Sequence, residues 1–213
     1  MRIHLGARLA TVLSLIEGGE SLVDVGTDHG KLPVAALLSG KVSRATATDI
    51  SEKSLNKAKL LAEKEGVSLH CLVGDGLKPV SEKADVVVIA GMGGAEIVKI
   101  LREAPCRHRN YILVPHKNAA LVRGYLKEEN ACILRDIAVK EKDHFYFVIQ
   151  ATFALPWRAH SLYFGEEGEA AGEYRAHRLE KLEWLLSRKE DPSLREEKEE
   201  LTDAQALGNR ENA

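Results

Sequence analysis

Residues 22–30, with the sequence LVDVGTDHG, constrain the fold of this chain more than any other segment. Their apolar start is typical of a strand buried in a parallel sheet, and the turn that follows carries glycines and a carboxylate. Turns of this kind receive nucleotide-like ligands at the carboxyl end of a parallel strand. The segment therefore predicts an open α/β sheet with a ligand cleft above its first strand.

The acid in this turn separates two classes of ligand. Asp28 occupies the place that the second glycine holds in the dinucleotide fingerprint Gly-x-Gly-x-x-Gly. A carboxylate there repels a pyrophosphate, but it attracts a cation such as the sulfonium or amino group of S-adenosylmethionine (SAM). We therefore expect SAM as the cofactor and do not expect NAD.

Strand-like and helix-like segments alternate along most of the chain, which predicts a parallel sheet with right-handed crossovers. A charged turn at 140–143 joins the last two strands, so we expect these to be antiparallel. The predicted fold is a Rossmann-like sheet of about seven strands with the last one antiparallel. The strands are expected near 21–25, 45–50, 69–73, 84–90, 111–114, 132–139 and 145–153.

The composition changes after Trp157, and this change predicts a second unit. We expect one domain over residues 1–160 and a helical hairpin over 166–213, with a glycine-containing acidic linker at 165–172. The sequence Asp191-Pro192-Ser193 breaks the helical pattern. Ser193 is the expected N-cap of the second helix, completed by Glu196 in a capping box.

Composition and cysteine usage exclude several classes of protein. The start of the chain lacks the apolar region of a signal peptide, and no apolar run is long enough to span a membrane. The three cysteines are scattered, which argues against a disulfide framework and against a zinc site. We therefore expect a cytoplasmic protein with no membrane partner and no metal. Whether it is a monomer or a homodimer is left open.

The carboxyl ends of the first four predicted strands all carry glycine or aspartate. Asp49 can accept hydrogen bonds from the hydroxyls of a ribose, and Asp75 can accept one from an adenine amino group. The glycines at 91–94 would let a flat base approach the backbone. Each of these features alone is also compatible with an ordinary turn, and Asp24 is compatible with a structural role. Together they favour a nucleoside-binding cleft.

At these positions the chain resembles the bacterial tRNA adenine-N1 methyltransferases that act at adenine 22, the TrmK-type enzymes. The resemblance covers roughly residues 5–150, and its most specific blocks lie at 26–33 and 89–94. The other matching motifs are Arg8-Leu9, Asp49-Ile50, Gly74-Asp75-Gly76-Leu77, Pro115 with Leu121-Val122-Arg123, and Glu141 with Tyr146.

The resemblance implies a class I methyltransferase fold and methyl transfer from SAM to N1 of an adenine in tRNA. The residues that it places at the cofactor are Asp24, Gly26, Asp28, His29, Gly30, Asp49, Ile50, Asp75, Gly76, Ala90 and Gly91. The residues that it places at the reacting groups are Asp28, Gly91, Met92 and Gly93. Lys31, Lys117 and Arg123 are the expected contacts to tRNA.

Two departures from the family pattern lie on the predicted substrate face. Gly30-Lys31 stands where the family tends to have Ala-Tyr, and Val114-Pro115-His116 replaces Gln-Pro-Asn. Two alternatives therefore stay open. One is a catalytically inactive SAM-binding partner of RNA, and the other is a class I methyltransferase acting on ribosomal RNA, a protein or a small molecule.

Overall fold

A computed structural model describes residues 3–159, 161–165 and 168–211 of the chain. The strands are β1 (Gly19–Val25), β2 (Val42–Asp49), β3 (His70–Val73), β4 (Val86–Met92), β5 (Asn110–Pro115), β6 (Cys132–Glu141) and β7 (His144–Thr152). The helices are α1 (Ala7–Ser14), α2 (Lys31–Leu38), α3 (Glu52–Glu65), α4 (Gly94–Arg102), α5 (Ala119–Glu128), α6 (Ala171–Leu186) and α7 (Pro192–Glu211). Among the described helices, none combines the length and apolar character that a membrane crossing requires.

The strands form one seven-stranded sheet in the order β3-β2-β1-β4-β5-β7-β6. The five strands from β3 to β5 are parallel, and β7 runs antiparallel to both of its neighbours. The strand order reverses between β1 and β4, which is where an open α/β sheet leaves a crevice for a ligand. The predicted Rossmann-like fold is confirmed.

Strand β4 shows why the sheet is buried on both faces. Val87 and Ile89 pack into the hydrophobic cluster on one side of the sheet, whereas Val86 and Val88 pack into the cluster on the other side. Because successive side chains of a strand point to opposite faces, a continuous apolar run satisfies both clusters at once. The centre of the sheet is therefore rigid, and it holds the carboxyl ends of β1 and β4 in fixed positions.

Helix boundaries follow local capping chemistry. The Ser51 hydroxyl accepts the Ser54 N–H at the start of α3, and the helix ends at Gly66, as predicted. The predicted cap of α7 is wrong. Asp191 Oδ1 accepts both the backbone N–H and the hydroxyl of Ser193, so Asp191 caps the helix and Pro192 fills its first position.

Helix α1 takes its cap from a distant strand. Its N-cap residue, Gly6, has no side chain to offer. The Arg8 backbone N–H instead donates to Glu141 Oε2 at 3.0 Å, from the end of β6. A carboxylate at a helix N-terminus satisfies a free N–H group and interacts favourably with the helix dipole. This bond fixes the orientation of α1 against the sheet.

Arg123 has a structural role, and its predicted contact with tRNA is wrong. The side chain is fully buried and forms a two-pronged ion pair with Asp136, at 2.7 and 3.0 Å. The guanidinium group also lies over the ring of Phe147 and donates to the carbonyl of Leu162. Arg123 thus ties α5 to β6, β7 and the segment that leads into the hairpin.

Helices α6 and α7 share a small apolar core of their own, formed by Phe164, Leu182 and Leu201. Arg178 and Glu197 form an ion pair across the two helices, at 2.7 Å. The first turn of α6 belongs to the main domain, because Ala170 and Ala171 pack into one of the large clusters of the sheet. The division into residues 1–160 and 166–213 stays a prediction.

The buried ion pair predicts a large stability effect at one arginine. Arg123→Ala leaves Asp136 without its partner, and we expect the free energy of unfolding to fall by about 3–5 kcal/mol. Urea denaturation followed by circular dichroism measures this loss. The matched control is Arg102→Ala, which removes an exposed ion pair with Glu128, and there we expect a loss below about 1 kcal/mol. Equal losses in the two variants would contradict the structural role of Arg123.

Candidate active site

A cleft of about 380 Å³ opens at the carboxyl ends of β1 and β4, at the reversal of strand order. It brings together eight of the residues predicted from the sequence and four that were not. The predicted residues are Asp24, Gly26, Asp28, His29, Lys31, Ala90, Gly91 and Met92, and the others are Arg8, Leu9, Thr27 and Leu32. The segments from β1 and β4 therefore form two walls of one cavity, and α1 contributes to a third.

Asp24 lies at the floor of the cleft and is only 5% exposed. Its carboxylate accepts a short hydrogen bond from the Thr27 hydroxyl, at 2.6 Å. Burial raises the pKa of Asp24 to about 7, the Thr27 bond opposes this shift, and the nearby Asp49 carboxylate adds to it. A cation in the cleft would stabilise the ionised form, so the floor is suited to a positively charged ligand.

Asp28 sits in the turn above Asp24 with a left-handed backbone, at φ 50°. Aspartate tolerates this conformation better than most residues do. The Asp28 N–H donates to Asp49 Oδ2 at 3.3 Å, and its own carboxylate is 2.5 Å from His29 Nδ1. Lys57 Nζ lies 3.4 Å from the other ring nitrogen of that histidine. The Asp28 side chain is thus held by its neighbour at the mouth of the cleft.

Asp49 ends β2 and Ile50 follows it, and the two residues flank the cleft without lining it. Asp49 Oδ1 accepts the Ser51 N–H at 2.8 Å, so this carboxylate is oriented by both turns that it joins. Ile50 presents its apolar side chain to solvent, at 77% exposed. Together they offer an oriented acceptor beside an apolar surface, a combination suited to a nucleoside.

Asp75 and Gly76 lie further along the same edge. The Asp75 carboxylate forms an ion pair with Lys78 at 2.7 Å, and this contact lowers the pKa of Asp75. The Gly76 carbonyl accepts the Thr48 hydroxyl. Neither residue lines the cleft, so their predicted contacts with the cofactor stay predictions.

The carboxyl end of β4 is shaped by a β-bulge. The pairing of β4 with β5 shifts register between Ala90 and Met92, and Gly91 between them has φ 87°. Only glycine adopts this backbone easily, which explains the first glycine of the turn. The bulge leaves Gly91 and Met92 on the cleft, opposite the acidic turn of β1.

Gly93 and Gly94 serve a different purpose. Gly93 is the N-cap residue of α4, and the Gly94 N–H donates to the carbonyl of Lys117 at 2.9 Å. A Cβ at position 94 would collide with the backbone of Asn118. The β4–α4 and β5–α5 turns therefore touch backbone to backbone, and the exposed Lys117 stands beside Gly93.

Sequence reasoning missed the part of the site that comes from α1 and β7. Arg8 lines the cleft, and its Nη1 lies 3.0 Å from Nε2 of His116, just after β5. The ring of Tyr146 packs edge-on against His116. The signals for this group were the short motif at Arg8-Leu9, the departure from the family pattern at His116, and the pair of Glu141 with Tyr146, all far apart in the chain.

The described part of the chain contains no group of three or more His, Cys, Asp or Glu side chains placed to hold a metal ion. The cleft instead carries the separate acids Asp24 and Asp28, and Arg8, His29 and Lys31 also line it. This arrangement is suited to binding an organic cation.

A family model described as a methyltransferase domain matches residues 5–149. The tRNA (adenine(22)-N(1))-methyltransferase of Bacillus subtilis (strain 168) is 35% identical over 155 residues, which cover 70% of this chain and 65% of that protein. The chain thus spans slightly less than two thirds of the length of this curated relative.

Two solved structures are similar over nearly the whole chain. The crystal structure of the B. subtilis M1A22 tRNA methyltransferase TrmK has a TM-score of 0.76 at 26% identity and covers 96% of this chain and 97% of its own. M. capricolum TrmK, in complex with S-adenosyl-homocysteine, has a TM-score of 0.84 at 24% identity, with coverage of 95% and 98%. The resemblance predicted from the motifs is confirmed.

The raised pKa of Asp24 predicts a pH-dependent stability. Because the folded protein holds this proton more tightly than the unfolded chain does, ionisation costs free energy as pH rises from about 4 to about 7. Relative to Asp24→Asn, the wild type should lose up to about 4 kcal/mol of unfolding free energy across this window. Urea titrations at a series of pH values measure the difference.

Asp85→Asn is a control, because the ionisation of Asp85 stabilises the fold whereas that of Asp24 destabilises it. The hydrogen bonds from Ser21 lower the pKa of Asp85, so its stabilising effect is present above about pH 4 and is lost as pH falls further. If the difference in unfolding free energy between the wild type and Asp24→Asn does not change from pH 4 to pH 8, the raised pKa of Asp24 is contradicted.

Proposed function

Because the chain belongs to the methyltransferase-domain family, we propose that it transfers a methyl group from SAM to N1 of an adenine in tRNA, at the position equivalent to adenine 22. The observation that carries the proposal is the cleft itself. It sets the carboxylates of Asp24 and Asp28 opposite a bulged glycine turn, at the reversal of strand order. A cationic donor and a flat acceptor can meet there.

The residues of the cleft fit SAM. The molecule supplies an electrophilic methyl group on a positively charged sulfur. Asp24 is a buried acid with a pKa of about 7. A cation bound beside it lowers this pKa, so that Asp24 ionises and attracts the cation. Asp28 adds a second carboxylate at the mouth, and Asp49 with the exposed Ile50 suits the nucleoside part. A dinucleotide would place its phosphates against these acids.

The acceptor needs alignment more than activation. N1 of adenine already holds a lone pair in the plane of the ring, so the site needs no strong base. Its task is to hold that nitrogen in line with the bond that breaks. The turn at Gly91, Met92 and Gly93 gives the base close access to the backbone, and its carbonyl groups and Asp28 are our candidates to accept from the N6 amino group.

The tRNA substrate is supported by the extent of the similarity. The B. subtilis TrmK structure matches this chain over α6 and α7 as well as over the sheet, since the coverage reaches 96%. Lys31 at the rim of the cleft and the exposed Lys117 beside Gly93 are suited to holding phosphates near the reacting base. The free cysteines among the described residues are compatible with a cytoplasmic place of action.

A pair of transcripts tests the proposal. The protein is incubated with labelled SAM and a tRNA transcript, and with the same transcript carrying guanine at position 22. We expect label in the first transcript alone and 1-methyladenine on digestion to nucleosides. Label in both transcripts, or another methylated base, would point to a different target. SAM binding without any methylation of tRNA, ribosomal RNA or protein would favour the catalytically inactive alternative.

We also propose that the hairpin contacts tRNA through α6. Lys181 and Trp184 are exposed on this helix, and Arg188 lies just past its end, with its guanidinium 4.1 Å from the Trp184 ring centroid. Exposed aromatic rings beside cations suit RNA, because bases stack on them and phosphates bind the charges. Helix α7, in contrast, is rich in glutamate.

Charge reversal distinguishes the two helices. Lys181→Glu with Arg188→Glu should weaken tRNA binding by about tenfold at 0.1 M salt and flatten its salt dependence, because phosphate contacts are lost. Arg195→Glu with Lys198→Glu changes the net charge equally on α7 and should have less than about a twofold effect. Filter binding with a tRNA transcript measures both. Equal weakening by the two pairs would show an effect of net charge alone.

A further inference from the structure

The turn between β6 and β7 extends past the carboxyl ends of the parallel strands and borders the cleft. Leu113 of β5 pairs with Ile149 of β7, so continuing this register sets Tyr146 across from His116. The two rings meet edge to face, with centroids 5.4 Å apart. Arg8 of α1 completes the group, with its guanidinium 5.0 Å from the Tyr146 ring centroid. We call Arg8, His116 and Tyr146 the base shelf.

The base shelf joins the cleft directly. Arg8 is a lining residue of the cavity. The backbone N–H of His116 donates to the carbonyl of Met92 at 2.8 Å. A Cβ built on Gly91 would lie 3.7 Å from Nε2 of the His116 ring. The imidazole therefore stands over the bulged turn, on the side of the cleft away from Asp28. The His116 side chain is also exposed to solvent.

Hydrogen bonding determines the form of this histidine. Arg8 Nη1 lies 3.0 Å from His116 Nε2, and a guanidinium group can only donate. Nε2 must therefore be the acceptor, so that the ring is neutral and carries its proton on Nδ1. Partial burial lowers the pKa of His116, and the charges of Arg8 and His144 lower it further. The ring is thus a neutral hydrogen-bond donor at neutral pH.

We propose that the base shelf is the seat of the acceptor base, an inference that rests on the proposed methylation of tRNA. The Arg8 guanidinium lies over the Tyr146 ring, and the His144 ring stacks on the same tyrosine. Tyr146 therefore supports Arg8, whose guanidinium plane offers the stacking surface, and nucleobases that leave a helix stack on such planes. His116 Nδ1–H can donate to a ring nitrogen of a purine other than N1.

Glu141 is a positioning residue for the shelf. It holds the Arg8 backbone at the start of α1 through the Glu141 Oε2 hydrogen bond. Arg8 in turn holds His116 in its donor form. The shelf is therefore assembled from three distant parts of the chain, and its geometry depends on the docking of α1 against the end of β6.

The same contacts hold α1 on the sheet, so the test has to separate binding of a base from support of the fold. Tyr146→Leu removes the ring, whereas Tyr146→Phe keeps it. Phe153→Leu is the matched control, because the Arg107 guanidinium covers the Phe153 ring at 4.5 Å, just past the other end of β7. Each variant is measured for its thermal midpoint, for SAM affinity by calorimetry, and for kcat/KM with a tRNA transcript.

A fluorescent base gives a readout that does not depend on turnover. A tRNA with 2-aminopurine at position 22 reports whether the base leaves its stack in the RNA and enters the site. We expect the wild type to change this fluorescence, and Tyr146→Leu to abolish the change and lower kcat/KM by about 10- to 100-fold. Tyr146→Phe and Phe153→Leu should stay within about twofold of the wild type, and SAM affinity should be unchanged in all three.

Two results would overturn the base shelf. One is unchanged kcat/KM and fluorescence in Tyr146→Leu, and the other is no fluorescence change with the wild type. A wild type that shifts the fluorescence but methylates nothing would refute the proposed function and leave the shelf supported. If Tyr146→Leu lowers the thermal midpoint, His116→Ala replaces it with the same expectations, because that exposed side chain supports the fold less.

Discussion

The contact between the β4–α4 and β5–α5 turns is the constraint on which the site depends. The Gly94 N–H donates to the Lys117 carbonyl, and the backbones are so close that position 94 has no room for a side chain. This contact locks the bulge at Gly91 to the start of α5. It thereby sets the distance between the Met92 turn and His116, which come from separate parts of the chain. The proposed contacts of the acceptor with the Gly91–Gly93 turn and with His116 follow from that spacing.

Asp24 at the floor of the cleft lowers the stability of the fold and favours the binding of a cation. A buried carboxylate with a pKa of about 7 opposes folding whenever it is ionised. An apolar residue at Asp24 would remove this cost, but the cleft would lose its attraction for a cation. The Thr27 hydroxyl reduces the penalty by donating to the carboxylate. The carboxylate is thus already in place for a positive charge that only the ligand supplies. Residues that serve binding at a cost in stability are common in functional sites.

The sequence predicts the sheet well because the information is local. The run at 84–90, the hydroxyl of Ser51 and the glycine at 66 each determine their structure within a few residues. The residues of the β1 and β4 turns could also be assigned to one cleft, since parallel strands end at one edge. Arg123 could not be predicted as buried, because its partner Asp136 lies on another element and a charged helix residue is usually solvated. The base shelf could not be predicted from the sequence for the same reason, because only tertiary packing brings α1, β5 and β7 together.

The bonds that hold α1 have a consequence for how the protein is made. Arg8 bonds to Glu141, and the side chain of Gln150 donates to the carbonyl of Leu15, so both ends of this helix are tied to strands more than a hundred residues later. During synthesis from the N-terminus, these ties form only after β6 and β7 have left the ribosome. A partly made chain can complete the acidic turn of β1 and the bulge of β4, but not the wall that α1 provides. The protein therefore completes the α1 wall of its cleft only late in its folding.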